Sequence, residues 1–142
     1  MGHTNYWERA SELLAKEFAA AVRDIKQVVR HLPVQLAGPD GTGKPVFRAN
    51  IISFNGKSPE CYETFEIQRV AFSRDFKPLA MEFCKTNQLP YDLAVQCSLI
   101  VLKHHLGDDI TVSSDGSDAD WQQARLACQK WLGYGEEFRL EE

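Results

Sequence analysis

The segment from Pro90 to Leu106 constrains this chain more than any other. Leu93, Ala94, Cys97, Ile100, Val101 and His104 recur at helical spacing and form a broad apolar face. Val95, Leu99 and Leu102 carry that face most of the way round. A helix apolar on nearly every side must lie inside the fold, so the remaining elements have to cover it. Pro90 suits the first helical position, and Gly107 is the expected C-terminal cap. Lys103, His104 and His105 fall in the last turn, where positive charge complements the helix dipole.

The covering elements are read from periodicity and punctuation. Asn5 with Glu8 resembles a capping box, and Trp7, Leu14, Phe18, Ala21, Ile25, Val28 and Leu32 make an apolar stripe. These predict a helix from about Tyr6 to His31, stopped by Pro33. At 1.5 Å per residue it spans roughly 39 Å, more than such a domain usually needs. The surplus marks Phe18 and Ile25 as candidate partner-binding residues in self-association. Val34–Ala37, Val46–Phe54 and Tyr62–Phe72 read as strands, as does Phe76–Thr86, where Leu79, Met81 and Phe83 alternate. Ile110–Ser113 is a short strand. Ser117 with Asp120 caps a helix from about Asp118 to Leu132 that ends at Gly133, and Phe138–Leu140 adds a final edge strand. The expected fold is a single α+β domain over residues 1–142: a small, mostly antiparallel sheet packed against three helices, with a long N-terminal helix.

Several constellations invite a chemical reading. Gly38-Pro39-Asp40-Gly41-Thr42-Gly43-Lys44 fits the start of a phosphate-binding loop, but Pro45 follows where Ser or Thr must ligate magnesium. Proline also lacks the N–H a phosphate would need, and the sequence continues as strand rather than helix, so a glycine-rich hairpin connection is expected. His104, His105 and Asp108 are the candidate metal ligands, with Asp115 beyond them; Gly107 argues against one helical face carrying them all. Asp115, Asp118 and Asp120 lack the spacing of a calcium loop and read as turn and capping residues. Ser113-Ser114-Asp115-Gly116 lacks the flanking-glycine elbow of a hydrolase nucleophile. No catalytic residue and no cofactor is assigned.

Composition narrows the partners. Four cysteines stand singly, which fits reduced thiols in a cytoplasmic protein. Met1 to Leu14 lacks the basic stretch and apolar run of a secretory signal, and no apolar run is long enough to span a membrane. Residues 103–142 hold four basic and nine acidic side chains, which disfavours duplex nucleic acid. Arg69, Arg74, Lys77 and Lys85 leave single-stranded nucleic acid as an alternative.

The residues Phe83-Cys84-Lys85-Thr86, Pro90-Tyr91-Asp92, Lys103-His104-His105-Leu106-Gly107-Asp108, Val112-Ser113-Ser114-Asp115-Gly116 and Leu132-Gly133-Tyr134-Gly135 carry a resemblance. Over roughly its last 60 residues the chain resembles small uncharacterised proteins of proteobacterial genomes and phage-derived regions. No activity is known for them, so the resemblance implies a bacterial or phage setting and no site residues. The expectation is a non-catalytic binding or accessory protein that works through protein contacts and self-associates. A metal-dependent enzyme using the His104/His105/Asp108 region is the rival.

Overall fold

The computed structural model describes residues 3–71 and 79–141. Its elements, in chain order, are β1 (Thr4–Ala10), α1 (Ala15–Val29), β2 (Leu36–Ala37), β3 (Val46–Arg48), β4 (Ile51–Gly56), β5 (Phe65–Gln68), β6 (Leu79–Lys85), α2 (Asp92–Leu106), β7 (Ile110–Ser114) and α3 (Gln122–Leu132). The expected mixture of three helices and antiparallel strands is present, but the strands form two sheets rather than one. One sheet has the order β6-β1-β7; in the other, β4 pairs with β2, β3 and β5. Every pairing is antiparallel. No helix is long and apolar enough to cross a membrane among the described residues.

The long N-terminal helix is corrected. Thr4–Ala10 is the central strand of the first sheet, and the helix starts only at Ala15. Asn5, Trp7 and Arg9 point inward and are completely or almost completely buried, while Tyr6, Glu8 and Ala10 face out. That alternation is the period of a strand. Asn5 therefore caps nothing; its side chain is a buried strand residue. At 15 residues, α1 is about 22 Å long and leaves no surplus for a second subunit.

The central helix is present and ends at Leu106 as expected, but it begins at Asp92, so Pro90 precedes the helix instead of opening it, and His104 is exposed. Ala94, Val95, Cys97, Leu99, Ile100, Val101 and Leu102 are all buried, and α2 packs against α1, α3 and β7. Phe18, Ala21, Val22, Ile25 and Val28 form the buried face of α1. Trp7 reaches from the first sheet to Phe65 at 5.2 Å between ring centroids, and Phe65 continues to Phe54 at the same separation. These rings join the two sheets through one core.

Smaller expectations divide. The stretch Val46–Phe54 is broken by a two-residue turn, Ala49-Asn50, into the hairpin of β3 and β4. The glycine-rich segment is not a hairpin connection: through one short turn at Pro39–Gly41 it links β2 to β3, which both pair with β4 and not with each other. Gly41 sits at φ 85° with Cys61 packed where a side chain would go, so glycine is needed there. The Ser117–Asp120 capping box is formed, and Gly133 ends α3 in the left-handed conformation. Phe138–Leu140 forms no strand; Phe138 stacks on Trp121 and Glu141 N–H donates to the Val112 carbonyl beside β7. The expected strand ends at Phe72 and Phe76 lie outside the described residues.

Candidate functional site

The candidate ligands of the sequence reading end up apart. His105 Nε2 lies 2.8 Å from Asp24 Oδ2 of α1, and the Tyr134 hydroxyl donates to the same oxygen at 2.6 Å. His104 stacks on the Tyr134 ring with centroids 3.6 Å apart. Asp108 is exposed in the turn after α2, and Asp115 accepts from the Thr4 N–H and the Tyr6 hydroxyl. Among the described residues no three His, Cys, Asp or Glu side chains come together as a metal-ligand set. The reason is local: α2 ends at Gly107, so Asp108 leaves the helical face that carries the histidines.

The His104–His105–Tyr134–Asp24 cluster borders a cleft of about 280 Å³ lined by Ile100, Lys103, His104, Tyr134, Glu137 and Arg139 among others. Tyr134, Lys103 and Arg139 are engaged within the chain. Burial, then the bond to Asp24, raises the Tyr134 hydroxyl above its ordinary pKa, which keeps it a donor. Burial, then the neighbouring His105, lowers His104 below the usual histidine value. Lys103 Nζ donates to the Gly107 and Ile110 carbonyls, and Arg139 to those of Glu136 and Phe138. The cluster therefore ties α1, α2 and the C-terminal segment together.

A second polar group is more deeply buried. Asp92 Oδ1 accepts from Asn5 Nδ2 at 2.8 Å and from the Thr86 hydroxyl at 2.7 Å, and Oδ2 accepts from Gln96 Nε2 at 2.9 Å. A buried carboxylate with three donors is satisfied in place, which describes a structural anchor and not a reactive base.

The candidate partner residues are also displaced. Phe18 and Ile25 are fully buried in the chain's own core, so neither offers a surface to a partner. Half of the basic set is described, Arg69 and Lys85. Arg69 is held by Asn50 Oδ1, the Leu13 carbonyl and Glu12, and Arg74 and Lys77 lie outside the described residues.

The feature that stands out is β6. Leu79, Met81 and Phe83 are 51, 64 and 61% exposed, although they form the apolar set that identifies the strand. The inward positions of β6 are Ala80, Glu82 and Cys84. Glu82 accepts from Trp7 Nε1 at 2.8 Å and pairs with Arg9 at 3.5 Å. Arg9 is fully buried and donates to the carbonyls of Ala10, Gln68 and Arg69. The sheet thus carries charge on its inner face and large apolar groups on its outer one.

The edge of β6 is open in the same places. Thr86 N–H donates to the His3 carbonyl, which fixes the ladder so that Cys84, Glu82 and Ala80 bond to β1. Lys85 turns its backbone the other way and is closed by Glu63, which donates from its N–H and accepts with Oε1 at 2.7 Å. Leu79, Met81 and Phe83 share the outward direction of Lys85. Among the described residues no strand pairs with them. By contrast β7, the other edge, is bonded at Val112 by Glu141.

No protein family model matches the chain, and no curated protein or solved structure matches it closely enough to lend it a function. The site has to be read from its own geometry.

Proposed function

We propose that this chain is a non-catalytic binding protein that acts through protein contacts made along β6. One observation carries the reading. Leu79, Met81 and Phe83 expose apolar side chains on one edge strand, and their outward backbone groups have no partner among the described residues. Single exposed apolar residues are ordinary, but three in a row on an open edge are what sheets normally avoid with charge, proline or a cover. Such an edge accepts another strand: backbone hydrogen bonds give affinity, and alternate side chains give specificity. The bacterial or phage setting implied by the resemblance is part of the same proposal.

The test places a photo-crosslinking benzoylphenylalanine at position 81 or 83 in cells, with exposed Leu126 on α3 as the control. A discrete adduct of defined mass at both β6 positions, absent at position 126, is the expected result. Diffuse labelling, or none, at positions 81 and 83 overturns the reading.

A further inference from the structure

We infer that the groove between the C-terminal half of α1 and the strands β2 and β3 binds a small amphiphilic carboxylate, one anionic head on an apolar body. These strands belong to the second sheet, so the inference stands or falls apart from the β6 reading. The groove encloses about 440 Å³, within the range of small-molecule sites, and Val29, Leu32, Leu36 and Phe47 line it. Val29, Leu36 and Phe47 pack on the core but are only half-buried, so the core continues into the groove as an open apolar surface. Lys26 and Arg30 line the α1 side. Four residues apart, they stand side by side on one helix face.

Charge selects the head. Residues 25–59 build the groove and hold five basic side chains against one acidic, Asp40, in a chain whose net charge is −4. Neither Lys26 nor Arg30 is ion-paired among the described residues. Asp24, the acid nearest them in sequence, is held by His105 and Tyr134. An arginine fork beside an ammonium matches a single carboxylate. The rest of the lining is uncharged, which disfavours a polyanion, because its further charges would rest on apolar side chains. A peptide strand is disfavoured too: β3 is three residues long, and Pro45 before it has no N–H to give. The groove is also remote from residues 72–78. Those join Ala71, bonded to Ser11, to Leu79, paired with Ala10, both near the start of α1. Seven residues that leave and return there reach about 13 Å, whereas Val29 is about 21 Å along the helix axis from Ala15.

The test uses octanoate and its uncharged counterpart octanol as probes of the intact chain, read by calorimetry and by methyl NMR. Octanoate is expected to bind saturably and to shift the methyls of Val29, Leu32 and Leu36. Octanol is expected to bind about tenfold more weakly, and added salt should weaken octanoate alone. Lys26→Met combined with Arg30→Met keeps both apolar stems and removes both charges. That double variant is expected to bind octanoate about tenfold more weakly, with its melting temperature and its affinity for octanol unchanged. Equal affinity for octanol and octanoate, or a double variant that binds octanoate as the parent does, overturns the inference. So does an absence of saturable shifts, or shifts confined to the cleft at Tyr134.

Discussion

Asn5 on β1 donates to the Asp92 carboxylate at the start of α2, 2.8 Å away and 87 residues distant in sequence. This bond joins the central strand to the central helix inside the core, and Thr86 and Gln96 complete the shell. Asp92→Ala removes the acceptor of Asn5, Thr86 and Gln96, of which Gln96 Nε2 keeps the Asp120 carbonyl at 3.4 Å. A stranded buried donor costs about 1–3 kcal/mol, so the variant is expected to lose about 2 kcal/mol or more. Urea unfolding measures it. A loss under about 0.5 kcal/mol would show that water or neighbouring groups satisfy those donors.

Arg9 is the second buried anchor. Its guanidinium divides its donors among the carbonyls of Ala10, Gln68 and Arg69 and the carboxylate of Glu82, so it links β1 and β6 to the end of β5. Burial lowers its pKa, and the charge of Glu82 opposes that shift. Arg9→Met is expected to destabilise the fold by about 3 kcal/mol, because it leaves Glu82 and several carbonyls short of donors. Arg9→Lys is expected to recover little of this, since one ammonium cannot serve acceptors spread around a planar fork. Equal urea midpoints for Arg9→Lys and the parent chain would refute the role of the fork.

Those two anchors explain where the sequence was legible. α2 and α3 were readable because periodicity and caps agreed: Ser117 with Asp120 at one end, Gly133 at the other, and an apolar surround from Leu93 to Leu102. β1 was not, because Trp7 continues the helical stripe of Leu14 and Phe18 as well as it fits a strand, and the inward residues beside it, Asn5 and Arg9, are polar. Asn5 and Arg9 look solvent-facing in a sequence and become inward only when Asp92, Glu82 and the β5 carbonyls arrive from elsewhere in the chain. The candidate site was hidden for the same reason. The alternation of Leu79, Met81 and Phe83 identifies a strand correctly, but nothing local reveals that this sheet turns Glu82 inward and exposes Phe83. The pair His104 and His105 suggested metal because adjacency in sequence was visible, whereas Asp24 and Tyr134, which occupy them, were remote.

The cysteines differ enough in environment to be told apart chemically. Cys84 is buried beneath the first sheet, and burial, followed by the charges of Glu63 and Asp92, pushes its thiol up to about 12. Cys97 and Cys128 are buried between α2 and α3, and the bond to Cys128 and burial raise Cys97 as well. Cys61 is only half-buried. Thiolate is the reacting form, so a thiol reagent at pH 8 is expected to modify one of the four cysteines quickly in the native protein and all four in urea. Two or more fast equivalents in the native state would mean that the α2–α3 contact opens readily.

His104 supplies the pH dependence. Burial, then the neighbouring His105, lowers it from its ordinary value of 6.5, and Glu137 and Asp24 pull weakly the other way. In the folded chain the imidazole takes its proton at lower pH than in the unfolded chain, so between the two values the unfolded state binds more protons. Stability linked to His104 is therefore fully present above about pH 6.5 and is lost as pH falls through the lowered folded value. The ring is well exposed on one side against Tyr134, so solvent screening keeps the effect small, about 1–2 °C in melting temperature. His104→Gln keeps a planar polar group against Tyr134 without the titration. The parent chain is expected to lose more melting temperature than this variant between pH 7.5 and 5.5, and the His104 ring resonance should titrate below 6.5 by NMR. A midpoint above 6.5 would mean that Glu137 and Asp24 outweigh burial, and the stability slope would then change sign.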